Sequence, residues 1–217
     1  MGTATQPSQK KMKLEILNMA PQHLETNSVV ISNDGLCAVF DPWGRADDWR
    51  KFLAANNLKL HKIFCTHGHY DHISAAPFLD APWFLNKRDW DFIENQNQLL
   101  ARLGLPEITD AHPIDIDEGR VEILPGIAAT VLACPGHSRG GLSFHVPTVN
   151  VILVGDTLFQ TSFGRTDFTG GNEKEIFNSI KKIYNTALPD DCLVVHGHGP
   201  ATNIGWLKQH NKFFKGE

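Results

Sequence analysis

No apolar run in this chain of 217 residues approaches the roughly 18 to 20 that a membrane-spanning helix needs, which argues against a membrane protein. The opening MGTATQPSQKKM lacks the continuous apolar stretch and small-residue cleavage site of a secretory signal. It reads as a flexible leader over 1–12, followed by a single domain over 13–217. Basic charge is also short: 20 Lys and Arg against 24 Asp and Glu leave a net charge of -4, without the positive face that nucleic acid requires. Cysteine is sparse. Cys37, Cys65, Cys134 and Cys192 lie far apart, each in or beside an apolar segment, so free buried thiols in a reducing, cytoplasmic setting fit better than a disulfide framework. Repeats, low-complexity tracts and Pro/Ser-rich linkers are missing too, and nothing cuts the chain in two.

What is present is a series of short runs rich in Val, Ile and Phe: LEIL (14–17), SVVIS (28–32), CAVF (37–40), KIFC (62–65), VEIL (121–124), ATVLAC (129–134), LSFHV (142–146), VNVILV (149–154) and CLVV (192–195). These read as strands, with hairpin turn chemistry at Asn33-Asp34-Gly35. Helical periodicity appears at 46–56 (Trp49, Phe52, Leu53) and at 88–103 (Trp90, Ile93, Leu100), with Gly104 as a stop. A third helix follows Asn172, where Asn172 and Glu175 resemble a capping box and Ile176, Phe177, Ile180, Ile183 and Tyr184 form a stripe. Strand groups interleaved with helices predict mixed sheets covered by helices.

The segment IFCTHGHYDHIS places His67, His69, Asp71 and His72 within six positions directly after an apolar run. Side chains two apart in extended chain point the same way, so His67 and His69 present both rings to one point beyond the strand end, before Asp71 and His72 turn into a helix over ISAAPFL. Imidazole and carboxylate suit borderline divalent metals such as zinc. Three more segments set a ligand-type residue just after an apolar run: ACPGHSRGG with His137, VILVGDTLF with Asp156, and LVVHGHGP with His198. Seven residues with one shared carboxylate supply the eight bonds that two four-coordinate metals need, which predicts a binuclear site.

With its His-x-His-x-Asp-His run at 67–72, together with FDPW, CPGHSRGG, GDTLF, FGRTDF and GHGP, the chain resembles the metallo-β-lactamase-fold hydrolases, and within them the compact, glyoxalase II-like hydroxyacylglutathione hydrolases. The resemblance implies an α/β, four-layer αββα sandwich. It assigns His67, His69 and His137 to one metal, Asp71, His72 and His198 to the other, and Asp156 as the bridge. Zinc is the first choice, with iron or manganese as alternatives. Asp41 in FDPW resembles the family's outer aspartate, which fixes a ligand's tautomer; an ordinary turn residue before Pro42 is the competing reading. Arg165 and Asp167 would form an ion pair bracing the loop after Asp156. The chain departs from the family at Trp43, Arg139 and Leu207, where glycine, proline and an acid are usual. Trp43 and Arg139 would reshape substrate access. His196 has no assigned role, facing either the site or solvent.

The implied reaction is hydrolysis of a thioester such as S-2-hydroxyacylglutathione by a metal-bridging hydroxide. Two divalent ions, two carboxylates and one hydroxide leave a charge near +1, attractive to an anionic substrate. Asp71 and Asp156 are the candidate catalytic residues, together with the bridging hydroxide, and Asp71, a poor general base as a metal ligand, is assigned chiefly to coordination. Two-domain members bind glutathione with a further helical domain. As this sequence ends at Glu217, recognition is expected from the loops, from the helix around Trp90 to Leu103, and from Arg139 facing a substrate carboxylate. Persulfide dioxygenases of the same fold, with one iron on two histidines and an aspartate, are the nearest alternative. Lactonase or β-lactamase chemistry and a metal-stabilised binding module follow. No partner other than a small molecule is expected, and oligomeric state stays open.

Overall fold

The structure is a computed structural model and describes residues 12–20 and 24–215. The expected leader lies, up to residue 11, outside the described residues. Strands β1 (Lys13–Leu17), β2 (Ser28–Asn33), β3 (Leu36–Phe40), β4 (Lys59–Phe64) and β5 (Trp83–Phe84) form a first sheet in chain order. β2 and β3 are antiparallel, joined through Asp34 and Gly35, both at positive φ (50° and 80°) as a tight hairpin turn requires. β3 and β4 are parallel, connected through helix α1 (Ala46–Ala55).

The second sheet contains β6 (Gly119–Leu124), β7 (Ile127–Ala133), β8 (Leu142–Val146), β9 (Val151–Gly155), β10 (Leu193–His196) and β11 (Thr202–Asn203), in the order β11-β10-β9-β8-β7-β6. β9 and β10 are parallel, with a crossover through α5 (Glu173–Asn185), after three short helices α2 (Tyr70–Ile73), α3 (Trp90–Asn95) and α4 (Asn97–Arg102). Two further helices, α6 (Ile204–His210) and α7 (Lys212–Lys215), end the described chain.

Alternation along the strands decides the layering. Val29, Ile31, Phe40 and Phe64 of the first sheet face Val131, Phe144, Leu153 and Val195 of the second, with Phe40 stacked on Phe64 at 5.3 Å and edge-on to Phe144 at 5.3 Å. The opposite face of the first sheet (Val30, Val39, Ile63) packs on Trp49, Leu53, Ile73, Ile93 and Leu100. Ile152, Val154 and Val194 of the second pack on Ile176, Ile180, Ile183, Leu207 and Phe214. Helices, sheet, sheet, helices: the expected αββα sandwich is what the chain adopts. None of the described helices is long and apolar enough to cross a membrane.

All nine expected strands are present. β5 and β11, two residues each, are too short to carry a periodic signal. The single helix expected over 88–103 is instead a 3₁₀ turn (Lys87–Asp89) followed by α3 and α4, broken at Gln96, and Trp90 is exposed rather than part of the buried face. ISAAPFL is largely a 3₁₀ turn at Ala76–Phe78 after the four-residue α2. In α5, Asn172 does cap the helix, its side-chain oxygen accepting from the Glu175 N–H at 3.1 Å. The buried stripe is narrower than expected, however: Phe177 and Tyr184 are 37% and 43% exposed. All four cysteines are free and buried. Leu207, where related chains carry an acid, lies fully buried in the apolar layer under α5, where an unpaired carboxylate would be costly.

Phe64→Ala is expected to lower unfolding stability by about 3 to 5 kcal/mol, because it empties the contact with Phe144 across the sheets and those with Phe40 and Phe84 beside it. Phe177→Ala is expected to cost less than about 1 kcal/mol, as a half-exposed side chain. Denaturant unfolding of both variants at equal metal content checks the difference.

Candidate metal centre

Strands β3, β4, β7, β9 and β10 all run toward one edge of the two sheets. The residues just past their C-terminal ends are Asp41, the run from His67 to His72, His137, Asp156 and His198. Three groups of donors lie close enough to share a cation: His67 with His69 and His137, His67 with His72 and Asp156, and Asp71 with His72 and His198, each within 4.8 Å.

Neighbouring groups assign the tautomer of four rings. His72 Nδ1 lies 3.0 Å from Asp41 Oδ2, so its proton belongs on that side. Its Nε2 then faces inward, buried without a hydrogen-bond partner, 3.5 Å from both Asp71 Oδ2 and Asp156 Oδ1, where it carries either a proton or a metal ion. The Thr66 hydroxyl donates to Asp41 at 2.8 Å and therefore accepts from His67 Nδ1 at 3.1 Å, which leaves His67 Nε2 orphaned too. His137 Nδ1 donates to the Arg165 carbonyl at 2.9 Å, and its Nε2 is 3.4 Å from Asp156 Oδ2. His198 Nδ1 donates to the Glu25 carbonyl at 3.3 Å, and its Nε2 stands 3.2 Å from Asp71 Oδ2 and 3.5 Å from Asp156 Oδ2. Outer nitrogens are thus committed, and inner lone pairs converge on two carboxylates. Lone pairs facing carboxylate oxygens repel unless a cation or protons lie between them. The donor set fits divalent metal ions.

Electrostatics divide the cluster in two. Around Asp71 and Asp156, burial opposes charge on the histidines but is overruled: Asp71, Asp41 and Asp156 hold His72 up to about 9, and Asp156 and Asp71 hold His198 up to about 10. Burial would also raise both carboxyl groups, yet His72 and His198 hold Asp71 well below the usual range, and His198, His72 and His137 hold Asp156 down. On the other side burial prevails. It pushes His67 far down, His69 to about 4 and His137 down, assisted at His67 by His72 and at His69 by His137.

Asp41 sits at a positive φ of 49°, and its carboxylate also accepts the Thr66 N–H at 2.6 Å. A turn residue of no consequence would make none of these contacts. Trp43 is fully buried, so it lines no substrate path. Its indole donates to the Leu24 carbonyl at 2.9 Å, and its ring meets Tyr70 edge-on at 5.8 Å, which props two residues of a cavity of about 270 Å³ over the cluster. Leu24, Tyr70 and Phe168 give that cavity its apolar wall. His196 is buried rather than solvent-facing; its Nδ1 donates to the Leu158 carbonyl at 2.7 Å, two residues beyond Asp156. Arg165 and Asp167 form a bidentate pair at 2.9 Å, both exposed. Arg139 is exposed near Gly170 and Phe92 and does not line the cavity.

Sequence reasoning missed several supporting groups. Thr26 donates to Asp71 Oδ2 at 3.0 Å. Gln96, at the break between α3 and α4, donates to the Gly68 carbonyl at 2.8 Å and accepts from the Tyr70 N–H at 2.8 Å. Asp89, before α3, accepts from the loops of His67 and His137. Isolated polar residues far from the ligand run in sequence gave no pattern to find them by.

Residues 22–198 match the metallo-beta-lactamase superfamily. The chain is 34% identical to the hydroxyacylglutathione hydrolase GloC of Haemophilus influenzae over 86% of its own length and 91% of that protein. Among solved structures it is similar to the B3 metallo-beta-lactamase BLEG-1 (31% identity, 93% and 99% of the two chains, TM-score 0.80) and to TTHA1623 in a di-iron-bound form (29%, 88% and 96%, TM-score 0.77).

The opposed shifts make the metal-free chain most stable near pH 6 to 7. His72 and His198, raised above the unfolded value of about 6.5, contribute stability that is complete below that value and is lost as pH rises through about 9 and about 10. His67, His69 and His137 are lowered, so their contribution is complete above the unfolded value of about 6.5 and is lost as pH falls below it, for His69 down through about 4. Thermal unfolding in chelator at pH 5, 6.5 and 9.5 should peak at the middle value. Excess Zn²⁺ should flatten the alkaline arm, since the ion replaces the protons; a metal-free profile already flat from 6.5 to 9.5 would contradict these charges.

Proposed function

The chain belongs to the metallo-beta-lactamase superfamily, and from that premise we propose that it is a metallo-hydrolase that cleaves a glutathione-derived thioester, such as S-D-lactoylglutathione, with two divalent metal ions, zinc first. The observation that carries the two-metal reading is the placement of Asp156: Oδ1 lies 3.5 Å from His72 Nε2, while Oδ2 lies 3.4 Å from His137 Nε2. One carboxylate thus addresses both ends of the cluster. His67, His69 and His137 would hold one ion, Asp71, His72 and His198 the other, with Asp156 between them. Metal ions bound there supply Lewis acidity toward the acyl carbonyl and hydroxide at neutral pH.

The chain's own residues do the rest. Asp41, through His72 and through the Thr66 hydroxyl beside His67, keeps two ring lone pairs turned inward. Asp71, held anionic and accepting from Thr26, is a poor base at neutral pH and serves as a ligand. Phe92 and Phe168 flank His69 at 5.3 and 5.1 Å, and Phe168 with Tyr70 and Leu24 forms an apolar wall suited to an acyl group. Arg139, exposed and without an ion pair among the described residues, is our candidate for a carboxylate of the glutathione portion. The Haemophilus relative's named activity supports the substrate class, and a cytoplasmic location is part of the same proposal. The likeness to a B3 metallo-beta-lactamase supports a second reading, β-lactam hydrolysis by the same residues.

The test is the initial rate of S-D-lactoylglutathione loss with metal-loaded protein. A kcat/KM of about 10⁴ M⁻¹s⁻¹ or more is expected. A negligible rate overturns the thioesterase reading, and a chromogenic β-lactam and oxygen uptake with glutathione persulfide then separate the alternatives. Asp156→Asn should lower kcat by at least about 100-fold with loss of bound metal. Arg139→Ala should raise KM by about 10-fold with kcat unchanged, the mark of lost binding that is equal in ground and transition states.

A further inference from the structure

Asp89 is fully buried, and no lysine or arginine among the described residues pairs with it. Its Oδ2 accepts the Gly68 N–H at 3.0 Å and the Ser138 hydroxyl at 2.7 Å, and its Oδ1 accepts the Gly140 N–H at 2.6 Å. Gly68 lies between His67 and His69, and Ser138 directly follows His137. One carboxylate therefore ties a loop leaving the first sheet to a loop leaving the second, and all three ring-bearing residues stand next to its contacts. The approach is close: a Cβ on Gly68 would meet Asp89 atoms at 2.8 Å, and one on Gly140 would meet the Asp89 carboxyl carbon at 2.8 Å. Burial raises the Asp89 carboxyl above its usual range and the three hydrogen bonds limit that rise; all three partners are donors, and both carboxyl oxygens accept, as an ionised carboxylate does.

The two ends of the cluster differ in charge. His72 and His198 share their end with Asp71; His67, His69 and His137 have no carboxylate except the shared Asp156. Resting on the metal reading above, we propose that Asp89 is the positioning residue that holds His67, His69 and His137 as one metal-binding end, and that its charge favours a divalent cation there. It touches no ligand ring. It acts through the backbone on either side of the rings and through the field of an anion screened by no counter-charge.

The test compares full-length wild type with Asp89→Asn by titration with Zn²⁺ against a chromophoric chelator. Wild type should take up two equivalents. Asp89→Asn should lose about 10- to 100-fold in affinity for one of them, the usual cost of removing an outer partner, while the other is kept. In a His198→Ala background the remaining equivalent should be the one that Asp89→Asn weakens. Ser138→Ala, which keeps the charge and two of three hydrogen bonds, should show a smaller loss at the same equivalent. It also decides the matter should Asp89→Asn fail to fold. Wild-type affinity at both equivalents in these variants, or equal loss at both, overturns the proposal. A wild-type chain that takes up fewer than two equivalents overturns the metal reading beneath it, and the wild-type titration alone reports that.

Discussion

The Asp41 carboxylate joins the end of β3 to the end of β4: it accepts the Thr66 N–H and hydroxyl and lies 3.0 Å from His72 Nδ1. Through it a backbone junction becomes a chemical one. Because Thr66 in turn accepts from His67, one carboxylate sets the ring orientation of two histidines whose inner nitrogens are orphaned and buried. The positive φ of Asp41 is tolerated by a short polar side chain and is fastened further by the Ser28 hydroxyl, which donates to its carbonyl at 2.6 Å. Remove this junction and the lone pairs of His67 and His72 no longer aim at one place.

Around it the same device recurs with different acceptors: the Arg165 carbonyl for His137 and the Glu25 carbonyl for His198. Each acceptor lies on a loop, while each ring stands just past a strand. The sandwich supplies rigidity through Phe40, Phe64 and Phe144 between the sheets, and the loops supply direction. Two sheets must contribute, since the run after β4 supplies donors on both sides of Asp156 while Asp156 itself, His137 and His198 follow strands of the second sheet. This is why the stacking of the sheets and the geometry of the donors are one problem.

The strands were legible because alternation of apolar residues survives in a half-buried ladder, and the ligand-type residues were legible because each immediately follows such a run. The hairpin at Asp34-Gly35 and the cap at Asn172 were legible from local chemistry. Other features depend on tertiary neighbours that leave no mark on the local pattern. Gln96 breaks an otherwise helical stretch by spending its amide on Gly68 and Tyr70. Phe177 and Tyr184 fit the stripe of α5 by period, yet the sheet beneath reaches only Ile176, Ile180 and Ile183. Trp43 occupies a motif position that invited a role at the substrate, whereas its indole is consumed in holding Leu24 and Tyr70.

A cluster of five histidines and two aspartates at the edge of an apolar sandwich is poorly suited to stability alone. Burial lowers His67 and His69, while neighbouring carboxylates raise His72 and His198, so without a cation the cluster holds neutral and protonated rings side by side, and moving away from neutral pH in either direction works against one set. A divalent ion resolves the conflict by offering positive charge to the carboxylates and an empty orbital to the lone pairs at once. The unpartnered polar atoms at this edge and its chemistry then have one origin: the arrangement that buries His67 Nε2, His72 Nε2 and Asp156 Oδ1 without partners is the arrangement that would grip metal ions and leave them facing the cavity between Leu24, Tyr70 and Phe168.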